Sequence, residues 1–399
     1  MAQVNVLLQD ENQPALDSPI LPDHHTFIAP ILVAYCLVVR AERNAVQRHN
    51  EIPGNAKWAK EKTGDEILAS RIIGFLFIEL ERLRRSLGYT PIARVMTEVL
   101  SNPSDEAIYD LGRIYRDHFI RAFRTTTTQY PPPSNHPSRP SMDDLVDLLM
   151  DTMEGSGKDH RSARTAALSR DGYRCMLTQI YDETSCRKHP AVRKLAEAAH
   201  ATSAVINACH IFNETVLQNI EPNQTFPYDP QRQHASAAIG ILRMFGLDDL
   251  TDRLTTVGKP VSASGVHILV NILSLNPILH AHFDALNLFL EPTADGEADK
   301  YDVHAAYPRI ARQGIPGQVK FVSLPRAADL DPNGTKFPLP DPRLLALHAV
   351  CARVAHMSGA AEVLDKFDRD VDDVQVLAED GSTAKLLDLM LGSYVSVAA

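Results

Sequence analysis

Two stretches decide how this chain is read: Val205-Ile-Asn-Ala-Cys-His-Ile-Phe212 and, further on, Asn271-Ile-Leu-Ser-Leu-Asn-Pro-Ile-Leu-His-Ala-His-Phe-Asp284. The first is a short apolar run carrying Cys209 and His210, and it predicts a strand. The second changes its period midway. Val266–Leu275 predicts another strand, after which Asn276 and Pro277 supply an N-cap and a first-turn proline for a helix. On that helix His280 and Asp284 stand four residues apart, so they share a face and lie close enough to share a metal ion. Leu279, Phe283 and Leu286 form the neighbouring apolar stripe, which would pack the helix and fix that face.

Working outward, 399 residues are enough for two or three domains, and a hydrophobic content of 44% with 23% charged residues is that of a packed, water-soluble protein. The element pattern predicts an α+β fold that is mainly helical. A formal net charge of −10 disfavours a global field that would coat nucleic acid. The distribution is uneven, however. Between Lys158 and Lys194 nine Lys/Arg stand against four acids, so this window is +5 and the rest of the chain is −15. Such a run is either a solvated basic face or a local phosphate-binding patch.

The five cysteines (Cys36, Cys175, Cys186, Cys209 and Cys351) are scattered and form no CxxC pair, which argues against a zinc ribbon and for a reducing compartment. The first 25 residues contain no Lys or Arg, unlike a secretory or mitochondrial leader. The apolar run Phe27–Val39 is broken by Pro30 and falls short of the roughly 20 residues that span a bilayer. A buried helix is expected there, in an intracellular protein of the cytoplasm or nucleus without a membrane segment.

Residues 1–124 predict an N-terminal helical region. Thr63-Gly-Asp-Glu66 has the form of a capping box, followed by an apolar stripe through Ile67, Leu68, Ile72, Phe75, Leu76 and Leu83 to a closing Gly88. A second helix is expected after Ser104, with Ile108, Leu111, Tyr115, Phe119 and Phe123 at helical spacing. Residues 125–141, rich in proline, predict an extended linker. The region 142–330 then opens with a short helix at Met142–Met153 and the loop Glu154–Gly157. A strand is expected from the Asp-Gly turn in Arg170–Thr178, and helices at Pro190–Ala204 and Ala235–Phe245. Residues 331–399 predict a C-terminal helical region, with an apolar helix from about Arg343 to Met357, a shorter one after Gly359 and a last one near Ala384–Leu391.

Metal-assisted phosphodiester cleavage needs a base for the attacking water and a cation for charge developing on phosphate oxygens. A neutral imidazole suits the first role, which makes His210 the general-base candidate. At this point the chain resembles a known family. Arg174-Cys-Met-Leu-Thr178, Ala208-Cys-His-Ile211, Asn271–Leu275 and Leu279–Asp284 look like the successive blocks of fungal HNH-endonuclease-domain proteins. The likeness extends to Asp117–Arg121, Ser134–Pro140 and Ala349–Gly359, so it covers much of residues 105–395.

The resemblance implies a ββα-metal (HNH-like) core within residues 142–330, flanked by the two helical regions. It implies His210 and Asn271 as catalytic residues, with Asn271 tethering the loop so that base and metal ligand face each other. His280, Asp284 and Cys209 would hold a divalent metal ion, whether Mg, Mn or Zn. Arg161, Arg164, Arg170, Arg174, Arg187 and Lys188 would grip the backbone of DNA or RNA. His282 would be a phosphate contact or a surface residue. Three positions depart from the family pattern: Cys209 stands where an acid or histidine commonly precedes the first histidine, Gln179 where glycine is frequent, and Val270 where an acid is frequent. A thiolate suits magnesium poorly. These departures keep open two other expectations, a catalytically degenerate binding or scaffold protein and a fold recruited to acid/base chemistry on a small molecule.

Overall fold

The structure is a computed structural model, and it describes residues 3–8, 14–22, 27–124, 160–213, 216, 230–255, 265–323 and 337–373. The expected linker at 125–141, the helix at Met142–Met153, the loop at Glu154–Gly157 and the helix at Ala384–Leu391 lie outside these residues. The described chain is mixed α+β and mainly helical.

The N-terminal region is built on α1 (Ala29–Glu51) and α2 (Lys57–Arg82). Pro30 begins α1 instead of breaking it, because its missing amide falls among the first-turn donors that no helix satisfies internally. The expected capping box at Thr63–Glu66 is corrected: α2 starts six residues earlier, and the Thr63 hydroxyl donates back to the Ala59 carbonyl at 3.0 Å. The turn Pro53–Ala56 sets the start. The first turns of α2 carry no buried stripe, and Trp58 is 75% exposed, so helical periodicity becomes visible only from Ile67.

Inside this helix pair sits a fully buried ion pair. Arg71 Nε donates to Glu42 Oε1 at 2.8 Å, and Arg71 Nη2 donates to the carbonyls of Ala15 and Ser18, both at 2.7 Å. Glu42 also accepts from the amides of Ile20 and Leu21. Two charges thus neutralise one another while anchoring the irregular segment 14–22 to α1 and α2.

After α3 (Arg84–Leu87), closed by Gly88 at φ +78°, come α4 (Thr90–Ser101) and α5 (Asp105–Ile114). Ser104 caps α5 by accepting from the Ala107 amide. Gly112 lets α5 touch α2: a Cβ there would sit 2.1 Å from the Ala69 carbonyl oxygen. The helix widens into a π turn at Tyr115–Ile120 and a 3-10 turn at Arg121–Phe123, keeping Tyr115, Phe119 and Phe123 on the buried side.

The middle region contains α6 (His160–Arg170), the paired two-residue strands β2 (Tyr181–Asp182) and β3 (Ser203–Ala204), α7 (Glu183–Lys188) and α8 (Pro190–Ala198). The strand expected in Arg170–Thr178 is corrected. Asp171-Gly172 closes α6 instead of opening a hairpin: Gly172 has φ +65°, and the Tyr173 amide donates to the Leu168 carbonyl at 2.7 Å. Only an isolated bridge joins Arg174 to Tyr181.

Strand β4 (Asn207–His210) pairs antiparallel with β5 (Ile272–Leu275), in a register that sets His210 opposite Ile272. Both strands are shorter than the sequence predicts, because two 3-10 turns, Gly265–His267 and Leu269–Asn271, precede β5. Between them lie α9 (Pro230–Met244) and α10 (Asp248–Thr255), and α11 (Pro277–Asp284) follows β5 directly. A second sheet is formed by β1 (Asn5–Val6), β6 (Leu288–Pro292), β7 (Lys300–Ala305) and β8 (Gln318–Lys320), with the short α12 (Pro308–Ala311) beside β7.

Helix α13 (Pro342–Ser358) has 13 of its 17 residues buried, which makes it a central helix rather than a surface one. Gly359, at φ +90°, ends it before α14 (Ala360–Asp373). Its Arg353 joins Glu79, Arg82 and Glu291 in an ionic cluster tying α2, α13 and β6. One hydrophobic core draws on all three sequence regions, from Ile31 and Phe77 through Cys209, Leu275 and Phe283 to Leu345 and Ala355. Among the described residues no single helix is long and apolar enough to cross a membrane.

Replacing Glu42 by Ala would leave the Arg71 guanidinium buried without its carboxylate. Urea unfolding is expected to show a loss of about 3–5 kcal/mol. A loss under about 1 kcal/mol would mean that this pair does not anchor residues 14–22.

Candidate metal centre

The site grows from the junction of β4, β5 and α11. Asn276 accepts from the Leu279 amide at 3.0 Å and Pro277 follows it, so the helix starts where the sequence predicts. Leu279 and Phe283 are buried beneath α11, which leaves His280 and Asp284 on a partly exposed face. His280 Nε2 lies 3.1 Å from Asp284 Oδ2. From the strand below, the Cys209 thiol donates to Asp284 Oδ1 at 3.7 Å.

One ligand atom from each of Cys209, His280 and Asp284 lies within 4.8 Å of the other two, a spacing at which all three could hold one metal ion. The donors are a sulfur, an imidazole nitrogen and a carboxylate oxygen. That set fits a borderline cation such as zinc, with a coordination position left over, and fits magnesium poorly. With the ligands facing one another, burial and then the Asp284 charge push the Cys209 thiol well above the usual thiol range. The thiol proton therefore satisfies the carboxylate in this state.

His210 does not join this cluster. Neighbours on a strand face opposite ways, so Cys209 turns to α11 while His210 turns away. His210 Nε2 lies 2.9 Å from Nδ1 of His267, in the first of the two 3-10 turns, and both rings are buried. Asn271, fully buried, reaches Phe212 with both ends of its side-chain amide. The Phe212 amide donates to Asn271 Oδ1 at 2.7 Å, and Asn271 Nδ2 donates to the Phe212 carbonyl at 2.9 Å. The Ile211 amide adds a bond to the Asn271 carbonyl. The loop leaving β4 is thereby latched to the turn entering β5. Thus the structure gathers Cys209, His280 and Asp284, and gives His210 and Asn271 other partners, His267 and Phe212. His267 escaped the sequence reading, because a histidine inside a run taken for a strand carries no spacing signal.

The six expected phosphate contacts separate. Arg170 is corrected: it is completely buried, forked onto Asp171 and donating to the carbonyls of Leu269 and Ile272 at 2.8 and 2.9 Å. Arg164 binds Asp182 and the Ile206 carbonyl, and Arg174 lies over the Tyr181 ring. Arg161, Arg187 and Lys188 are exposed. His282 faces Gln313 at 3.0 Å.

Two further histidines fix the end of α11 against α13. The His348 ring stacks on Phe283 with centroids 3.7 Å apart and its Nε2 meets the Phe283 carbonyl at 3.1 Å; His356 Nε2 meets the Leu286 carbonyl at the same distance. Burial pushes His348 down to about 3 and His356 down to about 4. No protein-family model, curated protein or solved structure matches the chain.

Both histidines fold in the neutral form, whereas the unfolded chain protonates them near pH 6.5. The unfolded state then binds more protons, so stability is full above that pH and falls as the pH drops toward 4. The slope is at most about 1.4 kcal/mol per pH unit for each ring. Urea midpoints at pH 7 and pH 5 measure it, and His348→Gln is expected to flatten the loss. Equal midpoints at the two pH values would rule out this account.

Proposed function

We propose that this chain is a metal-dependent phosphodiesterase of the HNH type, with β4, β5 and α11 as its ββα-metal core. The observation that carries the reading is the convergence of Cys209, His280 and Asp284 at the strand–helix junction, with His210 adjacent on the strand and Asn271 latching the loop behind it. These are the residues on which the family resemblance rests.

In this reading His280, Asp284 and Cys209 would hold a zinc-like divalent ion. Such an ion would supply electrostatic stabilisation of charge developing on phosphate oxygens. His210 takes the proton of the attacking water. Asn271 holds the backbone at Ile211 and Phe212, and so fixes where the His210 ring stands. Arg161, Arg187 and Lys188, the exposed members of the basic window, contact phosphates of DNA or RNA without reading bases. Arg170 serves the same site from within, by holding the carbonyls that flank Asn271.

One observation favours a second reading. The Cys209 thiol, Asp284 and His280 already satisfy one another through hydrogen bonds, an arrangement that a degenerate HNH-like binding module would also keep. Cleavage of plasmid DNA and of structured RNA separates the two readings. Activity is expected with zinc or manganese and much less with magnesium, is removed by a chelator, and falls as salt rises. His210→Ala is expected to lower the rate about 10²- to 10⁴-fold, the usual contribution of a general base. Wild-type protein that cleaves neither polymer with any of these ions would leave the binding-module reading.

A further inference from the structure

Helices α4 and α5 pack chiefly on α1 and α2, and a groove of about 390 Å³ is left between them. Its apolar side comes from Val99 and from a stripe along α5 that includes Leu111 and the 44% exposed Ile114. Three carboxylates line the same groove, Glu98, Glu106 and Asp110, and no Lys or Arg does. Arg113 takes Asp110 at 2.7 Å, and Arg94 acts on Glu98 from outside the lining. Burial nevertheless raises the Glu98 carboxyl above its ordinary value, while the Tyr115 hydroxyl donates to it at 2.7 Å. The last turn of α4 carries no basic residue, so its end carbonyls add negative potential beside Glu98. An apolar groove with an acidic rim is suited to an amphipathic helix that brings cations with its apolar side chains.

The chain presents such a helix elsewhere on its own surface. Helix α8 rests on Tyr181 through Val192 and Ala196, and turns Ala191, Lys194, Leu195 and Ala198 outward. Leu195 is 61% exposed. These four positions follow the i, i+3, i+4, i+7 pattern by which a helix enters a groove. From Arg187 to Lys194 there are four Lys/Arg and no acid, so the charge is opposite to that of the groove. The lengths agree as well. Ala191 to Ala198 and Ala107 to Ile114 are both seven residue steps, about 10 Å at 1.5 Å per residue.

We infer that α8 of one copy of this chain docks in the α4–α5 groove of a second copy, with Leu195 as the apolar anchor and Lys194 facing the carboxylate rim. The two surfaces differ, so the contact is head-to-tail and each copy keeps one groove and one helix for further copies. This assembly is separate from the nuclease reading, which uses neither α4 nor α5.

Sedimentation velocity of the nucleic-acid-free full chain, from about 1 to 200 µM, reads the association directly. Wild-type protein is expected to form species larger than the monomer as concentration rises, and less of them as salt is raised. Leu195→Asp removes the anchor and sets a carboxylate against the acidic rim; Ile114→Lys sets a cation against Lys194. Each variant alone is expected to weaken association about tenfold or more. An equimolar mixture of the two is expected to give a dimer and nothing larger, because one variant keeps its groove and the other its helix. That recovery also shows that both variants are folded. Wild-type protein that stays monomeric throughout would overturn the inference and leave the groove to a helix of another protein. Variants that associate like wild type would overturn it too, as would a mixture that stays monomeric. No metal ion or substrate enters these measurements, so their failure and that of the nuclease reading are told apart.

Discussion

The arrangement of the site depends on a charge that never meets solvent. Arg170 ends α6 with its guanidinium wholly buried, and burial of such a group is tolerable only if its charge is matched and its donors are used. Asp171 matches the charge through a forked pair, and the remaining donors go to the carbonyls of Leu269 and Ile272. Those two carbonyls bracket the turn that carries Asn271. The Leu269 carbonyl, which also accepts from the Ile272 amide, and the Ile272 carbonyl are thereby held to one buried group. The clamp therefore fixes the backbone from which Asn271 reaches across to Phe212.

That clamp explains how two strands separated by a long stretch of sequence become one stable pair. Four residues against four give a ladder too short to resist fraying by itself. The latch at Asn271 adds three hydrogen bonds at the end of the ladder where His210 stands. On the opposite side, α11 is capped by Asn276 at its start and held by His348 and His356 at its end. Each component of the candidate site is thus gripped at two points by groups that touch no ligand. Rigidity of this kind keeps the three side chains of the possible metal site within 4.8 Å of one another.

Much of the local structure was legible in the sequence. Asn276-Pro277, Ser104 and Gly359 act where their chemistry says they should, since caps depend on a few neighbouring backbone groups. The i, i+4 spacing of His280 and Asp284 placed them on one face because helical geometry is local too. What failed was local signal with two meanings. Asp171-Gly172 can open a hairpin or close a helix, and the choice was made by the packing of Ala163, Ala166 and Ala167 against Ala208, Leu269 and Ile272. Thr63–Glu66 spells a cap, but the helix had already begun in polar sequence that carries no stripe.

Charge was the least legible property, and the reason is physical. A sequence shows that an arginine is present and not whether a carbonyl or a phosphate will take its protons. Arg161 and Arg170 look alike in the basic window, yet one is exposed and the other holds the site's backbone from inside. The same ambiguity governs Cys209 and His210. Adjacent on one strand, they were expected to serve a single centre, but the alternation of side chains sends the thiol to α11 and the imidazole to His267. The possible metal ligands and the His210 imidazole therefore lie on opposite faces of β4.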